Sequence, residues 1–257
     1  MDQLISNHER QRQLQQFIEQ RQRVTVVQIC EQFGTSPATA RRDLDALAEQ
    51  GKIQRVHGGA IPLRRAPPEL PIVQRLADQA DEKGRIGRAV ATQVADGDTI
   101  FLGNGTTVLE VARNLQARRS LTVITNSLMV LNLMADLPDV TVISLGGQLR
   151  RAEMSLIGPI AEGTLATLRA DKVIIGVHAI DARHGLTNQY LPENTTDRAI
   201  LGIGRTVTVV ADHTKFGRVA TAFLAPVSAP DLIVTGAGLD PAIEAALLEQ
   251  GAHLQKV

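Results

Sequence analysis

The stretch that most constrains this chain lies at residues 35–60, where Thr35-Ser36-Pro37-Ala38-Thr39-Ala40-Arg41-Arg42-Asp43-Leu44 is followed by Arg55-Val56-His57-Gly58-Gly59-Ala60. Ser36 is an N-cap residue type and Pro37 suits the first helical position, so a helix start is signalled twice in succession. Ala40, Leu44, Leu47 and Ala48 recur at helical spacing and form one apolar stripe, which Gly51 ends. The opposite face carries Ala38, Thr39 and Arg42 near the N-terminal end. A recognition helix brings that end to base edges in the major groove, where the arginine fork matches the two acceptors of guanine.

Upstream, Leu14, Phe17 and Ile18 predict one amphipathic helix, and Val27, Ile29, Cys30 and Phe33 a second that stops at Gly34. Between them Arg23-Val24-Thr25-Val26 is a β-branched run suited to pairing with residues 52–61, whose Gly58-Gly59 supplies the turn of a β-wing. The sequence therefore predicts a winged helix-turn-helix, with Thr25, Ser36, Ala38, Thr39, Arg41, Arg42, Arg55 and His57 as candidate DNA contacts. Arg55 and His57 are expected near phosphates or a minor groove. Two helices and a hairpin also build small protein-interaction domains. Residues 1–65 carry a net charge of plus three and the remainder minus three, which puts the basic excess where DNA would lie.

The rest of the chain is long enough for a second, larger domain. Prolines 62, 67, 68 and 71 interrupt all periodicity and mark a linker, giving boundaries at 1–61, 62–74 and 75–257. Beyond it, β-branched runs at 99–102, 121–125, 140–145, 172–177, 206–211 and 232–235 alternate with helical stretches. That alternation predicts an α/β domain with a mostly parallel sheet covered on both faces. Aromatic residues make up only 2% of the chain, which argues against base stacking and so against single-stranded nucleic acid or RNA. The single cysteine, Cys30, sits at an apolar helix position and fits a reducing compartment. No apolar run reaches membrane-spanning length, so the cytoplasm is the expected location. None of the six histidines has metal-ligand spacing, and no cofactor is expected.

Ligands of open parallel sheets sit beyond the carboxyl ends of strands. Three predicted strands end in Gly103-Asn104-Gly105-Thr106-Thr107, in Thr125-Asn126-Ser127 and in Gly146-Gly147, which places these segments around one expected pocket. In the first, two glycines admit an anion to the backbone, and two threonine hydroxyls plus a helix N-terminus can donate to it. Val108 stands where a dinucleotide fingerprint needs a glycine, and the P-loop lysine is missing. Asn126 and Ser127 either touch a ligand or simply cap the next helix. Lys215, in Asp212-His213-Thr214-Lys215-Phe216-Gly217, follows a strand and is placed to meet a phosphate or carboxylate. Arg150 and Arg151 are either solvated loop residues, groups that close over an acidic ligand, or subunit contacts. His178 reads either as a ligand donor or switch, or as a satisfied structural residue.

The segment from Ser36 to Leu44 together with Arg55 to Ala60 resembles the DeoR family of bacterial sugar-metabolism repressors. Gly103 to Thr107, Thr125-Asn126-Ser127, Gly146-Gly147-Gln148-Leu149-Arg150-Arg151, Gly158-Pro159 and Asp212 to Gly217 occur in the order that family's sensor domain has them. The resemblance covers nearly the whole chain. It implies a winged helix joined to a sensor domain similar to ribose-5-phosphate isomerase, double-stranded operator DNA as partner, and a phosphorylated sugar or related acidic metabolite as effector. It also implies effector contacts at Asn104, Gly105, Thr106, Thr107, Thr125, Asn126, Ser127, Gly146, Gly147, His178, Glu193 and Lys215. The chain departs from the family pattern at three places. Gly103-Asn104 stands where many members have an acid, the segment around His178 lacks an Asp, and Asp197 replaces a common lysine, while Glu193 keeps an acidic position. These departures imply an altered set of ligand contacts.

A homo-oligomer, dimer or tetramer, suits a regulator that reads a palindrome. The competing reading is a sugar-phosphate isomerase-like enzyme with an accessory DNA-binding-like module. Isomerisation needs a positioned general base, and the acid and lysine positions suited to that task are among those altered here.

Arg42→Ala is expected to weaken specific DNA binding by about 1–3 kcal/mol and to relax base preference, as loss of one bidentate guanine contact would. Arg41→Ala, on the flank of the same helix, should weaken all sequences alike and flatten the salt dependence. Binding-site selection with each variant checks the pair; unchanged base preference in the Arg42 variant removes its role.

Overall fold

The computed structural model describes residues 7–257. They open with α1 (Asn7–Arg21), β1 (Val24–Thr25), α2 (Val26–Phe33), α3 (Pro37–Glu49), β2 (Ile53–Val56) and β3 (Gly59–Pro62). Thr25 and Gln28 form a reciprocal capping box at the start of α2, and Gly34 ends the helix at a φ of 61°. Because Thr25 is the cap, the inward phase of α2 starts at Val26, which is buried, and Val27 points outward at 65% exposure. The predicted assignment of Val27 to the core is thus corrected by one residue. Ser36 caps α3 by accepting from the Thr39 N–H at 3.2 Å. The stripe Ala40, Leu44, Leu47 and Ala48 packs on Leu14, Ile18 and Ile29. Beside it Asp43 is buried and held by Arg10 through Nε at 2.6 Å and Nη2 at 3.0 Å, which ties α1 to α3.

The wing is antiparallel in the order β1-β3-β2. Gly58 takes the turn at a φ of 76°, whereas Gly59 lies already in the strand opposite Thr25. A Cβ on Gly59 would sit 1.9 Å from the Val24 carbonyl oxygen, so no other residue lets β1 pair there. The chain leaves this unit through the short strand β4 (Arg64–Arg65) and a 3-10 turn at Ile72–Arg75.

The second unit runs through α4 (Ala80–Ala91), β5 (Thr99–Leu102), α5 (Thr106–Arg113), β6 (Leu121–Thr125), α6 (Leu128–Met134) and β7 (Val140–Ser144). The hairpin of β8 (Gln148–Arg150) and β9 (Ser155–Ile157) follows, then α7 (Pro159–Ala166), β10 (Ala170–Ile175), β11 (Ala179–Asp181), β12 (Gly185–Asn188) and α8 (Leu191–Leu201). β13 (Gly204–Val210), β14 (Arg218–Val219), β15 (Ala222–Ala225), β16 (Leu232–Thr235), α9 (Pro241–Glu249) and β17 (Leu254–Lys256) complete it.

Among the described residues, seven strands form one sheet in the order β17-β16-β13-β10-β5-β6-β7, every neighbouring pair parallel. All six predicted strands are in it. The short edge strand β17 and the small antiparallel sheet β11-β12-β15 carry no comparable β-branched run and were not expected. Alternation along the strands sorts side chains into two cores: Phe101, Ile124, Val173 and Val209 on one face, Ile100, Val123, Ile174 and Val210 on the other. Strand order reverses between β5 and β10, which opens a crevice at their carboxyl ends.

The winged-helix core draws only on residues 14–60, and the two sheet cores draw on residues from Leu76 onward. Residues 66–257 alone are therefore expected to unfold in one cooperative transition and to bind no DNA. Calorimetry and a gel shift check this; a broad, non-cooperative transition would show that α1–α3 belong to the larger core.

Candidate functional site

A cavity fills the crevice. The β5–α5 turn supplies Asn104, Gly105, Thr106 and Thr107, the chain after β10 supplies His178, and the chain after β13 supplies Asp212 and Lys215. Glu193 and Asp197 reach it from α8, Arg75 and Lys83 from the 3-10 turn and α4, and Glu69 from the interdomain segment. Its free space is about 100 Å³, less than the roughly 150 Å³ cavity that admits a benzene.

α5 begins at the cavity without a side-chain cap. Gly105 precedes it at a φ of 111°, which leaves the first helical N–H groups and the positive end of the helix dipole directed at the crevice. Among the described residues no hydrogen bond engages the Thr106 or Thr107 hydroxyl, although both residues are buried. Burial pushes the Lys215 ammonium below the usual lysine range against the opposing pull of Asp212, and burial likewise lowers Lys83. Lys215 has no ion-pair partner among the described residues. Among the described residues, Lys83 donates only to the Arg75 carbonyl, at 3.0 Å. Asp212 and Asp78 line the same floor, but among the described residues neither lysine is ion-paired, and the two ammonium groups beside the start of α5 suit an anion.

The opposite wall is a paired charge network. Arg150 binds Glu193 through Nη1 and Glu69 through Nη2, the latter at 2.5 Å, and its guanidinium lies 4.8 Å from the Tyr190 ring centre. Glu193 also accepts from Ser155 Oγ at 2.8 Å and from Asn104 Nδ2 at 3.3 Å. Arg75 pairs with the buried Glu153, whose carboxyl is pushed up by burial and by the nearby Glu69 charge, against the pull of Arg75. Burial pushes Asp197 up to about 7, with Arg150 opposing and Glu69 adding to the shift. Asn188 donates to Asp197 Oδ2 at 2.7 Å and accepts from the His178 backbone N–H at 3.1 Å, which joins two of the departures from the family pattern.

The structure brings together Asn104, Gly105, Thr106, Thr107, His178, Glu193 and Lys215. It does not bring Thr125, Asn126, Ser127, Gly146 or Gly147 into that lining. β6 and β7 lie one and two strands beyond β5, and at about 4.8 Å per strand their ends fall to the side. Thr125 donates to the Leu102 carbonyl at 2.7 Å, and Ser127 caps α6. Gly147 packs where a Cβ would lie 2.6 Å from the Ile157 carbonyl oxygen. Asn126 is fully buried, with neither side-chain atom hydrogen-bonded among the described residues. Sequence reasoning missed Glu69, Arg75, Lys83 and Glu153. A linker carboxylate and the charges of an amphipathic helix carry no local signal of a site.

On the winged helix, Ala38, Arg41 and Arg42 are exposed on one face of α3, and Thr39 is half-buried against Ser36. Arg55 folds back to within 3.5 Å of Asp45, and His57 stands 4.0 Å from Glu249 of α9. The Thr25 and Ser36 hydroxyls are engaged as helix caps. Among the described residues no cluster of His, Cys, Asp and Glu is arranged to hold a metal, and no helix is long and apolar enough to cross a membrane.

A winged helix joined to a doubly wound α/β unit with a charge-lined crevice at its strand ends defines a two-domain transcription regulator with a sensor domain. Residues 10–65 match the DeoR-like helix-turn-helix domain, and residues 78–237 match the DeoR C terminal sensor domain. The chain belongs to the DeoR family, whose C-terminal unit is a sensor domain. It is 34% identical over 240 residues to the transcriptional repressor AccR of Agrobacterium fabrum, covering 93% of each chain. It is 37% identical over 222 residues to the glycerol-3-phosphate regulon repressor of Escherichia coli, covering 86% of this chain and 88% of that one. Among solved structures it is similar to ribose-5-phosphate isomerase A of Methanocaldococcus jannaschii, at 16% identity and a TM-score of 0.41 over 54% of this chain and 55% of that one.

Asp197 gives the site a pH signature. Its folded value of about 7 lies above the ordinary 3.8, so its contribution to stability is complete below the unfolded value and is lost as pH rises through about 7. Asp197→Asn cannot ionise and keeps an oxygen for Asn188. Thermal unfolding between about pH 5 and 8 is expected to show the variant gaining on the parent as pH rises. Parallel curves would mean that Asp197 is charged throughout.

Proposed function

We propose that the protein is a repressor that binds double-stranded operator DNA through α3 and the wing and is released by a phosphorylated sugar or a related acidic metabolite. The observation that carries the ligand class is the cavity floor, where Lys215 and Lys83, neither ion-paired among the described residues, line the same crevice as the uncapped start of α5. Asn104, Gly105, Thr106, Thr107 and Lys215 are the proposed contacts of the acidic group. The paired wall of Glu193, His178 and Asp197 offers acceptors and donors to the hydroxyls of a sugar. The name of the glycerol-3-phosphate regulon repressor supports a phosphorylated polyol or sugar as the ligand class.

On the DNA side, Arg42 and Ala38 face outward from the N-terminal half of α3 with no competing partner among the described residues. Arg55 and His57 are engaged within the protein, so their proposed contact with DNA requires both to leave their acidic neighbours. Regulation of a carbohydrate operon, assembly as a dimer or tetramer, and residence in the cytoplasm belong to the same proposal. Release follows only if the ligand prefers a conformation that binds DNA poorly, because equal affinity for both states shifts nothing.

Thr106→Ala combined with Lys215→Ala is expected to leave binding to the DNA upstream of the gene intact and to abolish the response to phosphorylated sugars. A gel shift with and without a panel of sugar phosphates, beside calorimetry, checks this. A double variant that binds the active sugar phosphate as tightly as the parent places the site elsewhere.

A further inference from the structure

The segment between the two domains places its own carboxylate in the cavity. Glu69 Oε2 lies 2.5 Å from Arg150 Nη2 and Oε1 lies 3.4 Å from His178 Nδ1, while the other ring nitrogen of His178 donates to the Pro67 carbonyl at 3.0 Å. The same segment is anchored on both sides. Arg65 pairs with Val219 in the β4–β14 ladder, Ala66 donates to the Val219 carbonyl at 2.9 Å, and Arg75 Nε donates to the Leu70 carbonyl at 2.9 Å. β14 begins directly after Lys215-Phe216-Gly217, so cavity floor and linker are consecutive pieces of one surface.

We propose that Glu69 is an internal rival of the effector's acidic group: held at the Arg150–His178 corner, it puts its own negative charge into the crevice that the Lys215 floor also lines, and effector binding expels it and frees residues 66–71. The proposal rests on the reading of the cavity as the effector site. Three observations support it beyond that reading. Arg150 keeps Glu193 as a partner when Glu69 leaves, so expulsion strands no unpaired cation. Glu69 lines the crevice from the stretch with no regular secondary structure of its own, so it can leave without breaking a helix or strand. Apart from the packing of β2 on α9, the winged helix is held on the larger unit by weak contacts. Arg23–Asp240 at 3.9 Å and His57–Glu249 at 4.0 Å join half-exposed or exposed side chains, and the buried Gln54 amide beside Gly217 has no hydrogen-bond partner among the described residues.

Burial alone raises the Glu69 carboxyl, but the His178 ring and the Arg150 guanidinium outweigh it and hold it at about 2. The group is therefore an anion at any physiological pH and a true rival for another anion. Expelling it costs part of the effector's binding energy, and that cost is what couples the cavity to the DNA-binding domain.

The test uses the full chain, with inorganic phosphate as the probe and tryptic cleavage after Arg65 as the reporter of the linker. Glu69→Gln keeps the volume and removes the charge; Glu69→Ala removes both. Both variants are expected to bind phosphate roughly tenfold more tightly than the parent, the ratio for one charge-assisted hydrogen bond no longer to be displaced. Without phosphate they should be cleaved as fast as the phosphate-saturated parent, and added phosphate should accelerate cleavage of the parent alone. Unchanged affinity, or a linker equally protected in parent and variants, overturns the proposal. Lys215→Ala separates the two readings. If it abolishes phosphate binding while the Glu69 variants behave as the parent, the cavity reading stands and the competitor fails. If no form binds phosphate, or Lys215→Ala binds it normally, both fall.

Discussion

The Arg150 guanidinium joins parts of the chain that are remote in sequence: Glu193 at the start of α8, Glu69 in the interdomain segment and the face of Tyr190. Its side chain is only 12% exposed, so its charge cannot rely on water and must be met by the protein. Meeting that requirement shapes one wall of the cavity. Glu193 is turned inward and picks up Ser155 and Asn104, the linker is drawn over the crevice, and His178 is clasped between the linker's carbonyl and its carboxylate.

The cavity therefore has two electrostatic characters. Its floor, at the start of α5, offers donors and two lysines that are not ion-paired among the described residues, whereas its wall is a network in which each arginine is paired with a carboxylate. A strand order that reverses between β5 and β10 makes this possible, because loops from both halves of the sheet then lean away from each other and leave room between them. The altered residues of this chain fall within that space. His178 and Asp197 share Asn188 as a hydrogen-bonded bridge, so a change at either is transmitted to the other.

The winged helix meets the sensor where β2 packs on α9 and through a few polar pairs, and is joined to it by a linker that is itself part of the sensor's surface. This division of labour suits a regulator. The DNA-binding core is complete without the sensor, so its pose can change while its fold does not. A linker hydrogen-bonded to β14 and charge-paired to Arg150 responds to whatever occupies the crevice.

Local sequence determined the winged helix almost entirely. Ser36-Pro37, the stripe from Ala40 to Ala48 and Gly58-Gly59 are signals whose partners lie within a few residues, so periodicity and capping suffice to read them. The six β-branched runs likewise announced a parallel sheet, since strands buried on both faces must be apolar throughout. The phase of α2 was misread by one residue because a capping box at Thr25, not the apolar pattern, sets where the helix begins. The site was legible only in part. Gly105-Thr106-Thr107 and Lys215 stand at strand ends whatever the strand order, whereas Asn126 and Gly146-Gly147 end strands of equal promise that the topology carries to the side. Strand order is decided by packing among distant segments and leaves no local trace. Glu69, Glu153 and Lys83 read in sequence as ordinary solvated charges, and Arg150 either as one of these, as a group that closes over an acidic ligand, or as a subunit contact. Burying them together is the work of tertiary structure alone, because a charge acquires its partners and its altered proton affinity only when the chain around it has removed the water.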